Sequence, residues 1–396
     1  MLVAAVPRDT IDSAVAACGV GERRAGGKLP PHVVAYLTMA MCLFAEDDYE
    51  EVATKVTGSL SDWGCWDAAW SVPTASGITQ ARKRLGRRVL AEVFEGVAEP
   101  VATSDTRGAW LRRWRLLAID GFDVDLPDTE ANAAEFGYAG SGTNRSAFPK
   151  ARVVALAECG THAFLAAELG AYSTGEKTLA NRLYQRLRPD ELLTADRGFY
   201  SFTGWGLAAG TGAALLWRAP TGLGLPVVDV LADGTYTAVL VNPSLRGARR
   251  ARVLAAATRG QDIDPDDGHL VRVVEYDVPD RAGAGTGELI VLLTTVTDPA
   301  AARADELAAA YHQRWEEETG NDQLKTHLRG PGKLLRSRLP DLVHQEIWAW
   351  LTVHHAIAVL IARAAEAADL DPDRISFTRV LRIARRTATG TAGFPP

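Results

Sequence analysis

The sequence has few cysteines, no secretory leader pattern and only a small excess of charge, and each absence excludes a class of protein. Its four cysteines include no C-x-x-C pair, which argues against a structural zinc site or a disulfide framework and favours a reducing cytoplasm. The N-terminus lacks a basic-then-apolar segment, and apolar runs such as 33–45 are too short to span a bilayer. We therefore expect a cytoplasmic protein with no membrane partner.

The net charge of −6 argues against attraction of a polyanion to the whole molecule, so any nucleic acid must be bound through local basic patches. One such patch lies in the predicted helix 76–98, for which Ser76 or Thr79 is the expected cap. A solvated helix face and contact with DNA phosphates both fit this cluster. Its members are Arg82, Lys83, Arg84, Arg87 and Arg88. Two further basic segments, 245–253 and the amphipathic 374–386, lie later in the chain.

The hydrophobic period changes along the chain and predicts a mixed α/β fold. Residues 1–105 read as helices, whereas short apolar runs alternate with helical stretches from about residue 114, which predicts a mixed sheet covered by helices. Later runs are strand-like and separated by Gly, Pro and Asp turns. The predicted segments are a helical N-terminal domain (1–105), a core in two parts (106–219 and 299–340), a β-rich insertion (220–298) and a C-terminal helical region (341–396).

Two acids stand at the ends of apolar runs, Asp120 in LLAIDG and Asp196 in LLTADRG. A carboxylate at the end of a buried strand is costly unless something pairs with it, and ligands often bind at that edge of a sheet. If the two strands are neighbours, both carboxylates converge on one spot. Each acid alone also fits a turn at a strand end, and three nearby acids compete with Asp120 for the role: Asp123, Asp125 and Asp128.

A third group of polar residues lies in YHQRWEEETGNDQLK, 311–325, which we expect to be one helix. At about 100° per residue, a stripe roughly 60° wide holds one aromatic, two basic residues and one acid. These are Tyr311, Arg314, Glu318 and Lys325. Glu316 and Glu317 point away from this stripe. An exposed face with salt bridges is the alternative interpretation.

Glu318 could meet Asp120 and Asp196. Three converging carboxylates suit Mg²⁺, and two such ions about 3.5–4 Å apart activate an attacking oxygen and stabilise a leaving one. Arg314 and Lys325 would then meet substrate phosphates. Tyr311 could stack on a base or hydrogen-bond a phosphate.

These motifs resemble those of DDE transposases of the insertion-element-four family. The third signature of that family is Tyr, two residues, Arg, three residues, Glu, six residues, Lys, and it matches Tyr311, Arg314, Glu318 and Lys325. Its first and second acid regions are similar to AIDGFDVDLPDTEANAAEFG and LLTADRGFYS, which contain Asp120 and Asp196. The resemblance runs from about residue 10 to 386.

The resemblance implies a ribonuclease-H-like core, an N-terminal DNA-binding domain and a β-rich insertion between the second Asp and the Glu. It implies an enzyme that cuts insertion-element ends and joins the freed 3′ hydroxyls to target DNA. The implied cofactor is Mg²⁺, or Mn²⁺ as a substitute, with two ions per site. The implied partners are terminal inverted repeats, target DNA and a second copy in a synaptic homodimer at the bacterial nucleoid.

Two alternatives to this enzyme stay open. One is a DNA-binding protein that has lost catalysis, and the other is a nuclease on the same fold without strand transfer. The sequence also ends at GTAGFPP, soon after the basic segment 374–386. This ending leaves little C-terminal material for dimerisation and keeps open that a longer protein is truncated here.

Overall fold

The structure is a computed structural model that describes residues 2–21, 27–61, 71–278, 288–314, 320, 322–328, 330 and 334–389. Within these residues a mixed sheet lies at the centre of the fold, and helices pack against both of its faces. The predicted mixed α/β class is therefore confirmed. The helices are α1 (Leu2–Ala5), α2 (Arg8–Ala17), α3 (Pro31–Leu43), α4 (Tyr49–Ser61), α5 (Ala75–Leu85), α6 (Val89–Val97), α7 (Glu130–Phe136), α8 (Glu176–Leu183), α9 (Phe202–Ala209), α10 (Gly247–Thr258), α11 (Ala304–His312), α12 (Pro340–Ala367) and α13 (Phe377–Ala388).

Ten strands among the described residues form the sheet, in the order β4-β3-β2-β5-β6-β10-β9-β8-β7, with β1 paired to β2. They are β1 (Trp110–Leu111), β2 (Trp114–Asp125), β3 (Lys150–Glu158), β4 (Phe164–Ala171), β5 (Glu191–Ala195), β6 (Ala214–Arg218), β7 (Val227–Val230), β8 (Tyr236–Val241), β9 (Gly268–Val278) and β10 (Glu288–Thr294). β2, β3 and β4 are antiparallel neighbours, whereas β5 and β6 continue parallel on the other side of β2. Three antiparallel strands beside two parallel ones make the ribonuclease-H-like core that the sequence predicted.

The strands of the predicted β-rich insertion extend this core sheet. β10 pairs antiparallel with β6, and β9, β8 and β7 follow in turn. The same region contains α10, whose Val253 and Ala257 pack with Val239 of β8. The region is thus β-rich as expected, and its strands continue the hydrogen-bonded ladder of the core. The boundaries of the predicted segments stay predictions.

The N-terminal helices pack against α12, the long helix near the end of the chain. By length and composition α12 could span a bilayer, contrary to the sequence-based expectation, but 72% of its apolar window is buried inside the protein. Its buried residues contribute to one large apolar cluster together with residues of α3, α5 and α6. The helix therefore serves as a core element that joins the N-terminal domain to the sheet.

The helix expected over 76–98 is two helices, α5 and α6, and this part of the prediction is wrong. Gly86 follows α5 with a φ of 76°, a backbone conformation that side chains with a Cβ rarely adopt and that commonly ends a helix. The N-cap of α5 is Thr74, whose side chain accepts a hydrogen bond of 3.2 Å from Gly77 N. The expected caps at Ser76 and Thr79 are therefore wrong as well.

Candidate active site

Asp120 and Asp196 lie side by side on neighbouring parallel strands. β2 and β5 pair in register up to Ile119 and Ala195, so the next residue on each strand is an aspartate at the same level of the sheet. Equivalent positions on adjacent strands point to the same face. The convergence that the sequence predicted for these two acids is therefore present in the register.

The position of Asp120 within its strand differs from the expectation. Asp196 directly follows the end of β5, but β2 continues to Asp125, so Asp120 lies inside a strand. β2 keeps a partner beyond this point because β3 pairs with it through Asp125. Asp120 thus pairs with β3 on one side and lies beside the C-terminal end of β5 on the other. Both aspartates are partly exposed.

The face on which the two acids lie also carries α11. Residues of one strand alternate between faces, and Ala118, two positions before Asp120, packs in the cluster that contains Tyr311. Tyr311 Oη donates a hydrogen bond of 3.4 Å to Asp196 Oδ1. Burial raises the pKa of Tyr311 to about 12, so the phenol stays protonated and can donate. The side chain is 4% exposed, so contact with DNA stays a prediction.

Arg314 lies next to Tyr311, with its guanidinium carbon 5.7 Å from the centre of the tyrosine ring. The Arg314 side chain is buried. A buried guanidinium next to the tyrosine that contacts Asp196 can contribute positive charge to the site without being exposed to bulk water. Whether it contacts a phosphate stays a prediction.

Arg218 is a residue of this site that the sequence analysis missed. β5 and β6 pair in parallel up to Ala195 and Trp217, so Arg218 lies level with Asp196, and its Nη1 is 3.9 Å from Asp196 Oδ1. Its Nη2 forms an ion pair with Glu288 of β10. The signal was in the sequence: AALLWRA, like the two aspartate runs, is an apolar strand followed by a charge. Trp217, the residue before Arg218 in β6, is fully buried.

The three acids that competed with Asp120 have other partners. Asp123 accepts from Arg152 Nε at 3.0 Å, and Asp125 accepts from Lys150 Nζ at 2.6 Å. Both are odd-numbered and therefore lie on the face of β2 opposite Asp120. Asp128 accepts a 2.6 Å hydrogen bond from the hydroxyl of Tyr138. The register and these partners together favour Asp120.

The expectation of one regular helix from Tyr311 to Lys325 is wrong. α11 ends at His312, where the chain tightens to i→i+3 hydrogen bonds, from Gln313 N to Ala310 O (3.2 Å) and from Arg314 N to Tyr311 O (3.1 Å). Residues 323–328 then form a π-helix, whose wider turn does not advance by 100° per residue. The angular argument for the stripe therefore fails. The signature spacing itself is unaffected.

The predicted site residue Glu318 lies outside the described part of the chain, as do Glu316 and Glu317. Lys325 is described only by its backbone in the π-helix. Within the described residues no three His, Cys, Asp or Glu side chains are grouped as a metal site. Asp120 and Asp196 are nevertheless paired oxygen donors, which is the ligand type that hard divalent cations prefer. The two aspartates therefore fit a divalent metal, with open positions for a further carboxylate, water and substrate.

The prediction that Arg82 contacts DNA is wrong. Its side chain is fully buried, because Arg82 lies on the same face of α5 as Ile78 and Leu85. The guanidinium donates to Tyr49 Oη, Gln345 Oε1, Ser337 Oγ and Leu342 O at 3.0–3.2 Å. Arg82 thus joins α5 to α12 and to the segment before it.

The other members of the basic cluster remain at the surface. Lys83 and Arg84 are exposed. Arg87 is half-exposed and paired with Glu135 and Asp341, and Arg88 pairs with Glu92. Contact of these residues with DNA stays a prediction. It requires the least rearrangement for Lys83 and Arg84, whose side chains are exposed.

Two family models match the chain. The family model "Transposase DDE domain" matches residues 113–355, and "Insertion element 4 transposase N-terminal" matches residues 1–95. Strands β2 to β10 thus lie within a transposase DDE domain. The chain belongs to the insertion element 4 family of DDE transposases.

Two relatives from Escherichia coli (strain K12) are similar in sequence. Transposase InsG for insertion sequence element IS4 is 24% identical over 383 residues, which cover 93% of this chain and 78% of that protein. InsZ is 31% identical over 158 residues, which cover 38% of this chain and 51% of that protein. Among solved structures, a piggyBac transposase synaptic complex with hairpin DNA matches 98% of this chain and 79% of its own, with 10% identity and a TM-score of 0.49.

Family membership gives the function in outline. The chain acts in DNA transposition as a polynucleotidyl transferase, and transposase DDE domains use divalent metal ions. A DNA-binding protein without catalysis and a nuclease without strand transfer are not favoured.

Proposed function

We propose that the chain cuts the ends of its insertion element and joins the freed 3′ hydroxyls to target DNA, with Asp120, Asp196 and Glu318 as the catalytic carboxylates. The observation that carries this proposal is the register of β2 and β5, which brings Asp120 and Asp196 together on one face. Glu318 completes the set by its spacing from Tyr311 and Arg314 in the family signature.

The proposed metal is Mg²⁺, with Mn²⁺ as a substitute and two ions per site. Asp120, Asp196 and Glu318 would hold it, since all three offer carboxylate oxygens. When bound, divalent metal lowers the pKa of the attacking water or hydroxyl and stabilises charge on the leaving oxygen.

The surrounding side chains orient the carboxylates and bind the substrate. Tyr311 fixes Asp196 through its hydrogen bond, which leaves the other carboxylate oxygen directed away from the phenol. Arg314, Lys325 and Arg218 supply positive charge where the scissile phosphate would lie. Arg218 offers a fork of N–H donors that can exchange exposed Glu288 for a phosphate.

The proposed partners are double-stranded DNA, as terminal inverted repeats and as target, and a second copy of the chain in a synaptic homodimer. The net charge of −6 means that DNA must be held locally. Lys83 and Arg84 on α5, with Arg87 and Arg88 after it, are the proposed contacts of the N-terminal domain. The proposed location is the bacterial cytoplasm, at the nucleoid.

The test is a reaction of the purified chain, in Mg²⁺, with a plasmid that carries the gene and its native flanking DNA, and with a second plasmid as target. Joined products flanked by a short duplication of target sequence are expected. Cleavage without joining would point to a nuclease, and binding without cleavage to an inactive DNA-binding protein. Two further reactions are run in parallel, one without divalent metal and one with Mn²⁺ in place of Mg²⁺.

A further inference from the structure

The helix α13, near the end of the described chain, has one buried face and one arginine-rich face. Phe377, Leu381 and Ala384 are its buried residues. At about 100° per residue, the exposed arginines lie on the opposite side of the helix, centred roughly 180° from the buried face. They are Arg379, Arg382 and Arg386, and together they form what we term the α13 ridge.

The ridge carries charge that its own helix does not neutralise. α13 contains no acidic residue. Within the described residues, the structure records no hydrogen bond or ion pair for the side chains of Arg379 or Arg382. Arg385, in contrast, is partly buried and donates to Leu43 O, so it ties α13 to α3. Arginine is thus used both to anchor the helix and to charge its outer face.

The buried face of α13 lies against the segment that follows the candidate active site. α13 packs directly against the π-helix 323–328, which carries Lys325. Phe377 stacks on His354 at 5.3 Å, and His354 Nε2 is 3.3 Å from Gln323 Oε1 at the start of the π-helix. The ridge, on the opposite side of α13, therefore faces away from the π-helix and outward from the protein.

We propose that the α13 ridge binds the phosphate backbone of duplex DNA on the outward side of this helix. This inference rests on the proposed function, since it assigns a second contact surface for the same DNA. From Arg379 to Arg386 the helix rises about 10 Å, which corresponds to about three phosphates along one strand. Three guanidiniums in a row thus match a stretch of backbone.

Charge and packing favour DNA over an anionic membrane as the partner. A helix that lies on a membrane needs an exposed apolar face. The apolar face of α13 is buried against the protein, and Ile383 is the large apolar side chain that the helix exposes. The chain belongs to a family of DNA transposases, whose substrate is a polyanion. Duplex DNA therefore satisfies the charge of the ridge.

The test measures binding of the full chain to a fluorescent 30-base-pair duplex of arbitrary sequence between 50 and 200 mM salt. The variant Arg379→Ala/Arg382→Ala removes two phosphate contacts. Each contact contributes about 0.9 to the slope of log affinity against log salt, so the slope should become shallower by about two. Between 50 and 200 mM salt, the ratio of the wild-type affinity for DNA to the variant's affinity should change about tenfold. Arg379→Lys/Arg382→Lys keeps the charge and should retain most of the slope.

The matched control is Arg107→Ala/Arg188→Ala, which removes two exposed arginines from the sheet end where β1 and β5 begin. Arg188 lies at the opposite end of β5 from Asp196, so the wild-type slope is expected. Thermal unfolding checks that both variants fold. A ridge variant with the wild-type slope overturns the inference, as does one that loses only binding to phosphatidylserine vesicles. Failure of the proposed function looks different: the ridge arginines still contribute to the salt slope, but DNA that carries the element ends is not cleaved in Mg²⁺.

Discussion

Asp120 and Asp196 follow the paired residues Ile119 and Ala195 on two parallel strands, so their carboxylates share one level and one face of the sheet. This relationship separates Asp120 from Asp123, which lies three residues later and on the opposite face in an ion pair with Arg152. The same strand thus offers a catalytic candidate and a matched control.

Asp120→Asn and Asp196→Asn should each abolish DNA cleavage and leave DNA binding largely intact. Asparagine keeps the size of the side chain but loses the charge that holds metal, whereas phosphate contacts come from basic residues. Cleavage of a labelled duplex and its electrophoretic retention are measured together. Asp123→Asn is the control and should still cleave. Normal cleavage by Asp120→Asn or Asp196→Asn would remove that acid from the site.

Arg218→Ala should lower the cleavage rate about 100-fold, as expected for the loss of one charge-stabilising donor at a reacting phosphate. The guanidinium lies 3.9 Å from Asp196 and is only 16% exposed, so water cannot readily replace it. Glu288→Gln removes the other partner of Arg218 and should leave the rate close to that of the wild type. Single-turnover cleavage at saturating DNA distinguishes the two. Equal rates for Arg218→Ala and the wild type would show that Arg218 only binds Glu288.

Apolar runs that end in a charge predicted that Asp120 and Asp196 lie on neighbouring strands, where a charge needs a partner and the strand order supplies one. That rule found Asp120 and Asp196 and would have found Arg218. It misjudged the length of β2, because whether a strand continues depends on its neighbour β3, which lies elsewhere in the sequence. The alternation of core strands and helices was predictable because the strands contain apolar runs that are bounded by turn residues or a charge.

Burial and irregular helices were not predictable in the same way. Arg82 looks like Arg84 in the sequence, and only the packing of α5 on α12 decides that one is buried and the other exposed. The end of α11 at His312 and the π-helix after it break a pattern that reads as one helix. Both features depend on tertiary contacts, which local propensity does not contain.

Arg82→Ala should destabilise the fold by about 2–4 kcal/mol without a direct effect on DNA. It removes a buried guanidinium and leaves Gln345 Oε1 and Ser337 Oγ without that donor. Arg84→Ala should change the free energy of unfolding by about 0.5 kcal/mol or less, and should flatten the salt dependence of DNA binding. Urea unfolding and binding titrations of both variants provide the measurement. Equal stability of Arg82→Ala and Arg84→Ala would contradict the buried network.

His354 should make stability fall as the solution becomes acidic. Burial, and then the neighbouring His162 and His355, lower the pKa of His354 to about 3 from 6.5. The unfolded chain therefore takes up a proton on His354 below about pH 6.5, whereas the folded chain does not. The part of the free energy of unfolding that depends on His354 is therefore highest above pH 6.5 and declines as the pH falls towards 3. Its slope approaches about 1.4 kcal/mol per pH unit.

The measurement for His354 is the free energy of unfolding in urea at pH 7.5 and at pH 5.0. His354→Gln cannot titrate, so the difference in stability between the wild type and this variant should shrink at the lower pH. Comparison of differences cancels the other acids and histidines, which both proteins share. If the difference in stability is the same at pH 7.5 and at pH 5.0, His354 does not remain neutral in the folded chain.

Glu318→Gln should eliminate cleavage and strand transfer, whereas Glu316→Gln and Glu317→Gln should stay close to the wild type. Only Glu318 keeps the family spacing from Tyr311, Arg314 and Lys325. Tyr311 contacts Asp196, so this signature already begins at the aspartate pair. Glutamine nearly preserves size but loses the charge that binds a divalent cation. The three variants are assayed side by side on a labelled element-end duplex in Mg²⁺, with thermal unfolding as a check of the fold. Full activity of Glu318→Gln, or equal inactivity of a folded Glu316→Gln or Glu317→Gln, would show that the signature spacing does not identify the third carboxylate.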